Sequence, residues 1–264
     1  MNAEYRPLQT GQVKFGPFDI AYALYSHGDV LKVVDPPNAT KKMLVLADTI
    51  GHDPSRGKEL SDFLDAAISQ GWGVTGNLAE EQLKLSRMVP EGTNYGGAPF
   101  SYTQFENDKI STTGNVGGLT IVRNTGRVEE IPLMAAILDF YENNPIPLRE
   151  RQYEPQLRNG EILFLRTDGV DEGIADSRFT SSLGIEHGGF EDLGRAIRSI
   201  PDGSSVRMRY QREADELLKT VLQKNRYKSA HGIVDSIIDE LGEYFIPKTE
   251  VRDDASLVIV KRAR

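Results

Sequence analysis

The 264-residue sequence contains no cysteine. This absence excludes disulfides, thiolate nucleophiles, iron–sulfur clusters and Cys-ligated zinc. No window approaches the roughly 18 consecutive apolar residues of a membrane-spanning helix, and residues 1–10 lack the basic and apolar regions of a secretory signal. We therefore expect a soluble, cytoplasmic protein without a membrane partner.

Positive charge is scarce as well. The chain has 31 Lys and Arg against 39 Asp and Glu, a formal net charge of -8. Binding to nucleic acid through counterion release needs clustered Lys and Arg, so we expect no nucleic-acid partner. Apolar residues make up 39% of the chain, which is enough for a buried core, and the excess of carboxylates is suited to holding cations.

Hydrophobic periodicity predicts an α+β layout of about nine strands and five helices. No linker rich in Gly, Pro or Ser divides it, so we expect a single domain over 1–264. Hairpin turns are predicted at Gly117-Gly118 and at Asn124-Thr125-Gly126. The predicted strands are 18–25, 30–34, 43–47, 100–105, 109–113, 119–123, 128–131, 161–167 and 256–261; the predicted helices are two within 57–88, then 190–200, 210–225 and 230–245.

Two glycine motifs suggest nucleotide binding but lack the required context. Gly71 to Gly76 matches G-x-G-x-x-G, yet a predicted helix precedes it where a strand is needed, so we interpret these glycines as the end of that helix. Gly51 to Glu59 resembles a P-loop, but five residues separate its glycines where four are required, and Glu59 replaces the Ser or Thr that binds Mg²⁺.

Aspartates follow or precede several of the predicted apolar strands. Asp48 follows one strand, Asp168 follows another, and Asp253-Asp254 directly precedes the last one. Any one of them alone is a common turn or cap residue. Several buried carboxylates at one place, however, imply a cation among them, and oxygen ligands favour Mg²⁺ or Mn²⁺ over zinc.

These aspartates lie in motifs that resemble those of the PPM-type metal-dependent serine/threonine protein phosphatases, in the bacterial SpoIIE-like branch with RsbU and RsbX. The resemblance implies a four-layer α-β-β-α sandwich with two central antiparallel sheets. The motifs, in family order, are Phe18-Asp19-Ile20-Ala21, His27-Gly28-Asp29 (similar to G-G-D), 44–52 (LVLADTIGH, similar to I-A-D-V-S-G-H), Thr113-Gly114-Asn115, 167–172 (TDGVDE, similar to T-D-G-V-T-E) and 252–257 (RDDASL, similar to D-D-x-T-L).

The same resemblance implies a site for two Mn²⁺ or Mg²⁺ ions. Asp48 would bridge both ions, Asp29 would complete the shell of one, and Asp168 with Asp253 would hold the other. The backbone carbonyl of Thr49 would be a further ligand, and Asp254 a supporting or alternative one.

In such a site the catalytic residues would be Asp48, Asp168 and His52. A water shared by the two ions would attack phosphorus, and no protein nucleophile would be needed. His52 would donate a proton to the leaving Ser or Thr oxygen, or else only hydrogen-bond the loop that carries it.

Some features depart from the resemblance. Asp53, Asn115 and Ser256 stand where Gly, His and Thr are frequent. A charged segment around 204–228 looks like an added helical insertion, which is either a solvated face or a lid or docking surface for a partner.

Two functions follow from the resemblance. The first is hydrolysis of phosphoserine or phosphothreonine on a bacterial signalling protein, of the anti-sigma-factor antagonist type. The second is a catalytically silent module that docks such a partner. Retention of the four carboxylates Asp29, Asp48, Asp168 and Asp253 favours the enzyme. A homodimer is compatible with either function.

Overall fold

The computed structural model describes residues 9–25, 28–35, 39–49, 54–73, 78–89, 98–114, 116–131, 136–137, 152–185, 190–245 and 254–263. Within these segments the chain forms twelve strands and six helices. The strands are β1 Gln9–Phe15, β2 Phe18–Tyr25, β3 Val30–Val34, β4 Lys41–Ala47, β5 Pro99–Glu106, β6 Lys109–Thr113, β7 Gly117–Val122, β8 Val128–Glu130, β9 Ala136–Ile137, β10 Gln152–Tyr153, β11 Ile162–Thr167 and β12 Ala255–Arg262. The helices are α1 Pro54–Ser69, α2 Leu78–Met88, α3 Asp168–Ser182, α4 Phe190–Ser199, α5 Gly203–Asn225 and α6 Ala230–Phe245.

The strands form two antiparallel sheets, which we call sheet A and sheet B. Sheet A has the order β1-β2-β12-β11-β7-β8. Sheet B has the order β10-β6-β5-β4-β3, and the short β9 pairs with β5. The expected α+β class with two central antiparallel sheets is therefore confirmed.

Three apolar layers separate the sheets and the helices. Strand β4 contributes to two of these layers because its side chains alternate between its two faces. Leu44 and Leu46 point toward sheet A, whereas Met43, Val45 and Ala47 point toward the helices on the other face. A strand buried on both faces needs such an unbroken apolar run.

The outer faces of both sheets are covered by helices. Helices α1 and α2 pack on sheet B through residues such as Leu60 and Leu85, and α3, α5 and α6 pack on sheet A through residues such as Ile174, Leu218 and Ile237. The order of layers is helix, sheet, sheet, helix, as the sequence resemblance implied.

The glycines at Gly117 and Gly118 are strand residues, so the hairpin turn predicted there is wrong. They begin β7 and pair with the end of β11. A Cβ on Gly117 would lie 2.2 Å from the backbone nitrogen of Asp168, and a Cβ on Gly118 would lie 2.5 Å from the Arg166 guanidinium. Close approach of a neighbouring strand, not a turn, requires glycine here.

Other predicted turns agree with the structure. Gly126 lies in the left-handed region with φ +87°, and its N–H donates to the carbonyl of Arg123 in the turn between β7 and β8. Gly71 follows the end of α1 with φ +80°, as expected of a glycine that ends a helix. Residues 51–53 and 74–76 of the two glycine motifs lie outside the described residues.

Several regular elements differ from the sequence prediction. Strand β1 and helix α3 were not predicted, and α5 begins at Gly203 instead of Tyr210; the two-residue strands β9 and β10 were not predicted either. Among the helices that the structure describes, none combines the length and apolarity needed to cross a membrane.

Candidate metal centre

Antiparallel pairing places the predicted aspartates of each sheet beside one another. In sheet B, Val30 pairs with Ala47, which brings Asp29 just before β3 next to Asp48 just after β4. In sheet A, Arg166 pairs with Leu257, so Asp168 after β11 and Asp254 before β12 lie at the same end of that sheet. Pairing thus converts distant sequence positions into neighbours.

Asp29 is the best-defined carboxylate of this group. Its side chain is buried, and its Oδ2 atom accepts hydrogen bonds from Thr167 Oγ1 at 3.0 Å and from Ser256 Oγ at 2.6 Å. The Ser256 backbone N–H donates to Thr167 Oγ1 at 2.9 Å. Two residues of sheet A therefore hold the carboxylate of a residue that belongs to sheet B.

A second set of bonds holds the loop that carries Asp29. The Gly28 N–H donates to Asp254 Oδ2 at 2.5 Å, and the Thr49 hydroxyl donates to the Gly28 carbonyl at 3.1 Å. Thr49, expected to offer its carbonyl to a metal, is buried here and uses its hydroxyl to fix the loop. Asp254, expected as a supporting or alternative ligand, is buried and bonds the loop directly.

The electrostatics at Asp29 are those of a crowded set of like charges. Burial raises the pKa of Asp29 well above its ordinary value, and the nearby carboxylates of Asp48 and Asp254 raise it further. The hydrogen bonds from Ser256 and Thr167 act in the opposite direction, because they stabilise the ionised form. Three of the predicted acidic residues are thus close enough to interact electrostatically.

Asp168 lies at the margin of this group. It is the first residue of α3 and is exposed, and its carboxylate adds to the burial that raises the pKa of Glu172. The structure therefore joins Asp29, Asp48 and Asp254, and places Asp168 at the same sheet end.

The described residues form part of a donor set, not a complete one. Within the segments given above, no group of three or more Asp, Glu or His side chains is arranged to hold a metal ion. His52 and Asp253 lie outside the described residues, as do Asp53 and Asn115.

The chemistry of the partial set nevertheless fits a hard divalent cation. Its donors are negatively charged carboxylates. Burying several of them together is costly unless a cation offsets their charge. Oxygen-only donors match Mg²⁺ or Mn²⁺.

Sequence reasoning missed the hydroxyl pair that holds Asp29. Thr167 was noted only as the residue before Asp168, and Ser256 only as a departure from the usual Thr. Their joint role depends on the pairing of β11 with β12 and on the packing of the two sheets. The signal available in the sequence was a hydroxyl residue within each acidic motif.

A second cluster of charges lies where helices α3 and α5 pack on sheet A. Arg166 is buried, its Nε donates to both oxygens of Asp171 at 2.9 and 2.8 Å, and its Nη2 donates to Asp215 at 3.3 Å. Lys219 forms ion pairs with Asp215 at 2.5 Å and with Glu130 at 2.7 Å. Cations and carboxylates alternate here.

This second cluster shows what several charges of the segment around 204–228 contact. Helix α5 also pairs with α3, since Arg207 binds Asp176 at 2.7 Å and Glu172 at 3.3 Å. Much of the charge of α5 therefore attaches the helix to its neighbours. These positions are part-buried in ion pairs within the chain, while Arg209 and Glu216 are exposed.

Comparison with known proteins finds similarity in structure only. No protein-family profile and no curated protein sequence matches the chain. The RsbU and RsbW domains of Rv1364c from Mycobacterium tuberculosis match with a TM-score of 0.63 at 14% identity, over 93% of this chain and 61% of that one.

Two further solved structures are similar over nearly the whole chain. The PP2C phosphatase domain of SpoIIE from Bacillus subtilis, with a fragment of its regulatory domain, matches with a TM-score of 0.57 at 12% identity, over 96% of this chain and 63% of that one. RsbX in complex with magnesium matches with a TM-score of 0.54 at 13% identity, over 97% and 99%.

The chain therefore has the fold of the PP2C (PPM) phosphatases of the SpoIIE, RsbU and RsbX type. It spans less than two thirds of the length of the first two chains.

Proposed function

We propose that this chain is a metal-dependent protein phosphatase that hydrolyses phosphoserine or phosphothreonine on a bacterial signalling protein. The observation that carries the proposal is the set of carboxylates around the buried Asp29, drawn from both sheets, in which Asp48 and Asp254 add to the burial that raises the pKa of Asp29. A fold has no structural need for such a set, because each added like charge destabilises it. A bound divalent cation would offset this repulsion and would account for the set.

The residues that would hold the metal are those of the sheet ends. Asp29, Asp48 and Asp254 supply the described carboxylates, and Asp168 and Asp253 complete the proposed set. Two Mn²⁺ or Mg²⁺ ions, when bound, would activate a water molecule and offset charge on the phosphoryl oxygens.

The chain's own residues do the positioning. Thr167 and Ser256 orient Asp29, while Asp254 and Thr49 fix the loop at Gly28. The proposed role of His52 is to donate a proton to the leaving Ser or Thr oxygen. No cysteine is available as an alternative nucleophile.

The substrate class rests on the structural neighbours. Those include RsbU joined to RsbW, RsbX with magnesium, and a protein of the bacterial stressosome. By this likeness we propose a phosphorylated regulator of the anti-sigma-factor antagonist type as substrate, a cytoplasmic location and a single catalytic domain over 1–264.

The experiment that tests the function is hydrolysis of p-nitrophenyl phosphate and of a phosphoserine peptide in Mn²⁺, Mg²⁺ or EDTA. We expect metal-dependent turnover that Asp48→Ala and Asp168→Ala abolish. Asp65→Ala is the matched control, because Asp65 is an exposed helical aspartate that pairs with Lys32.

The contrary result is equally well defined. If the folded wild-type chain binds no Mn²⁺ and hydrolyses neither ester, the phosphatase is excluded, and the catalytically silent docking module takes its place.

A further inference from the structure

The hydroxyl pair Thr167 and Ser256 forms a closed hydrogen-bonded ring with Asp29. Thr167 Oγ1 and Ser256 Oγ both donate to Asp29 Oδ2, and the Ser256 N–H donates to Thr167 Oγ1. All three residues are buried, with exposed fractions of 0% for Thr167, 2% for Ser256 and 6% for Asp29. Water therefore competes little for these bonds.

The bonds fix the direction of each hydroxyl hydrogen. Thr167 Oγ1 already accepts from the Ser256 backbone, so its own hydrogen is available to Asp29 at 3.0 Å, a shorter distance than the 3.5 Å to the Asp254 carbonyl. Ser256 Oγ lies 2.6 Å from the same carboxylate oxygen. An oxygen that accepts two hydroxyl donors cannot itself carry a proton toward them. The ring therefore keeps a proton off Oδ2 and holds that oxygen as an acceptor.

The ring also joins the two sheets at the end where the carboxylates meet. Thr167 ends β11 and Ser256 lies in β12, both in sheet A, whereas Asp29 precedes β3 of sheet B. The plane of the Asp29 carboxylate is thus set by the opposite sheet, and its position relative to Asp48 and Asp254 is fixed before any cation arrives. Prior ordering of a ligand reduces the cost of binding.

We propose that Thr167 and Ser256 are positioning residues that orient the ionised Asp29 carboxylate and thereby set the affinity of the site for its divalent cation. The inference rests on the proposed metal centre and extends it to two side chains that touch no metal. It holds for cation binding whether or not the chain is a phosphatase.

The test measures Mn²⁺ binding directly, by isothermal titration calorimetry on the full chain, without any substrate. Thr167→Val keeps the shape of the side chain and removes its hydroxyl; Thr167→Ser keeps the hydroxyl and removes a methyl group. Ser256→Ala removes the other donor. We expect Thr167→Val and Ser256→Ala to weaken Mn²⁺ binding by about 10- to 100-fold, the range found when partners of metal ligands are removed, and Thr167→Ser to stay near the wild type.

A matched control exists in sheet B. Thr103 and Thr112 form another fully buried hydroxyl pair, with their Oγ1 atoms 3.0 Å apart, and neither contacts Asp29 in the described structure. Thr112→Val should change thermal stability without changing the Kd for Mn²⁺. Thermal unfolding in EDTA confirms that every variant is folded, and Thr167→Val alone decides if Ser256→Ala does not fold.

The outcomes separate this inference from the proposed function. If the wild type binds Mn²⁺ and the folded Thr167→Val binds it equally well, the positioning role is refuted while the metal centre stands. An equal loss of Mn²⁺ affinity in Thr112→Val also refutes it, because any buried hydroxyl would then have the same effect. If the folded wild type binds no Mn²⁺, the metal centre and this inference fall together.

Discussion

Two clusters of buried charge lie on either side of the end of β11, and they differ in one respect. The acidic cluster around Asp29 contains carboxylates of one sign, so burial and mutual repulsion raise the pKa of Asp29. The balanced cluster around Arg166 contains alternating signs, and each carboxylate in it contacts a cation from the chain itself.

This difference distinguishes a cluster that holds the fold together from a cluster that binds a ligand. In the balanced cluster every carboxylate is paired with a cation of the chain, so the cluster attaches α5 to sheet A without a ligand. An acidic cluster destabilises the free protein and is explained by something that binds there. Both clusters are rich in aspartate, so aspartate content does not distinguish them. They differ in whether each carboxylate has a cation of the chain beside it.

The largest effect is expected from breaking the balanced cluster. Arg166→Met removes the buried cation that faces the part-buried Asp171 and Asp215, and this loss should lower the free energy of unfolding by about 2–5 kcal/mol. Urea unfolding measures the loss. Arg209→Met on the exposed side of α5, which breaks the pair with Glu213 and the contact with the Tyr210 ring, should cost less than about 1 kcal/mol. A similar small loss for Arg166→Met would show that the cluster does not secure the helix.

Within the acidic cluster, the size of the effect should separate a metal ligand from a supporting residue. Asp48→Asn is expected to lower Mn²⁺-dependent hydrolysis by more than about 100-fold, because it removes a direct ligand. Asp254→Asn removes the charge of the acceptor that holds the Gly28 N–H and should cost about 10- to 100-fold. Steady-state rates at saturating Mn²⁺ measure both. A larger loss in Asp254→Asn than in Asp48→Asn would reverse the two assignments.

Gly117 links the two clusters, because its backbone packs against that of Thr167 and Asp168. Gly117→Ala places a Cβ 2.2 Å from the Asp168 nitrogen, so the strands must separate, and overpacking of this kind costs about 1–3 kcal/mol. Thermal unfolding and Mn²⁺ affinity should both change. Gly184→Ala, where a Cβ would meet nothing within 4 Å, is a control for the strain of a positive φ alone. Unchanged metal affinity in a folded Gly117→Ala would show that this contact does not position Asp168.

A smaller, pH-dependent effect follows from the raised pKa of Asp29 when no metal is bound. Between the unfolded pKa of about 3.9 and the higher folded value, the folded chain binds more protons than the unfolded chain. The contribution of Asp29 to stability in EDTA should therefore fall as pH rises through that window, by at most about 1.4 kcal/mol per pH unit for one proton, and level off above it. The difference in stability between the wild type and Asp29→Asn measures this contribution. An equal pH dependence of stability in both proteins would contradict the like-charge description.

Much of the fold was predictable because its signals are local. The apolar period of α6 predicts the bounds Ala230–Phe245 that the structure has, and the apolar run of β4 predicts a strand buried on both faces. Strand β1 has mostly exposed side chains at the edge of sheet A, so it carries little apolar signal.

Helix α3 was missed although its buried stripe is present in the sequence. Val170 and Ile174 lie four positions apart and pack on sheet A, but the acidic motif at Asp168 predicts only a site. The structure shows that the motif is also the beginning of a helix. An acidic motif can therefore mask the helical periodicity of the residues around it.

The acidic cluster was predictable in part. Aspartates at strand ends carry a local signal, and antiparallel pairing explains why Asp29 and Asp48 meet. The ring of Thr167 and Ser256 was not predictable, because it depends on strand register and on the packing of two sheets across 89 and 227 positions of the chain. The balanced cluster was missed for the same reason.

The central claim is that the acidic cluster exists to bind a divalent cation, and the thermal stability of Asp29→Asn tests it most directly. Asparagine keeps an acceptor for Thr167 and Ser256 while removing one of the crowded charges. We predict that Mn²⁺ at 100 times its Kd stabilises the wild type by about 2.7 kcal/mol, that Asp29→Asn loses this gain, and that in EDTA Asp29→Asn unfolds at a higher temperature than the wild type. A wild type that is indifferent to Mn²⁺, together with an Asp29→Asn variant less stable in EDTA, would contradict the claim.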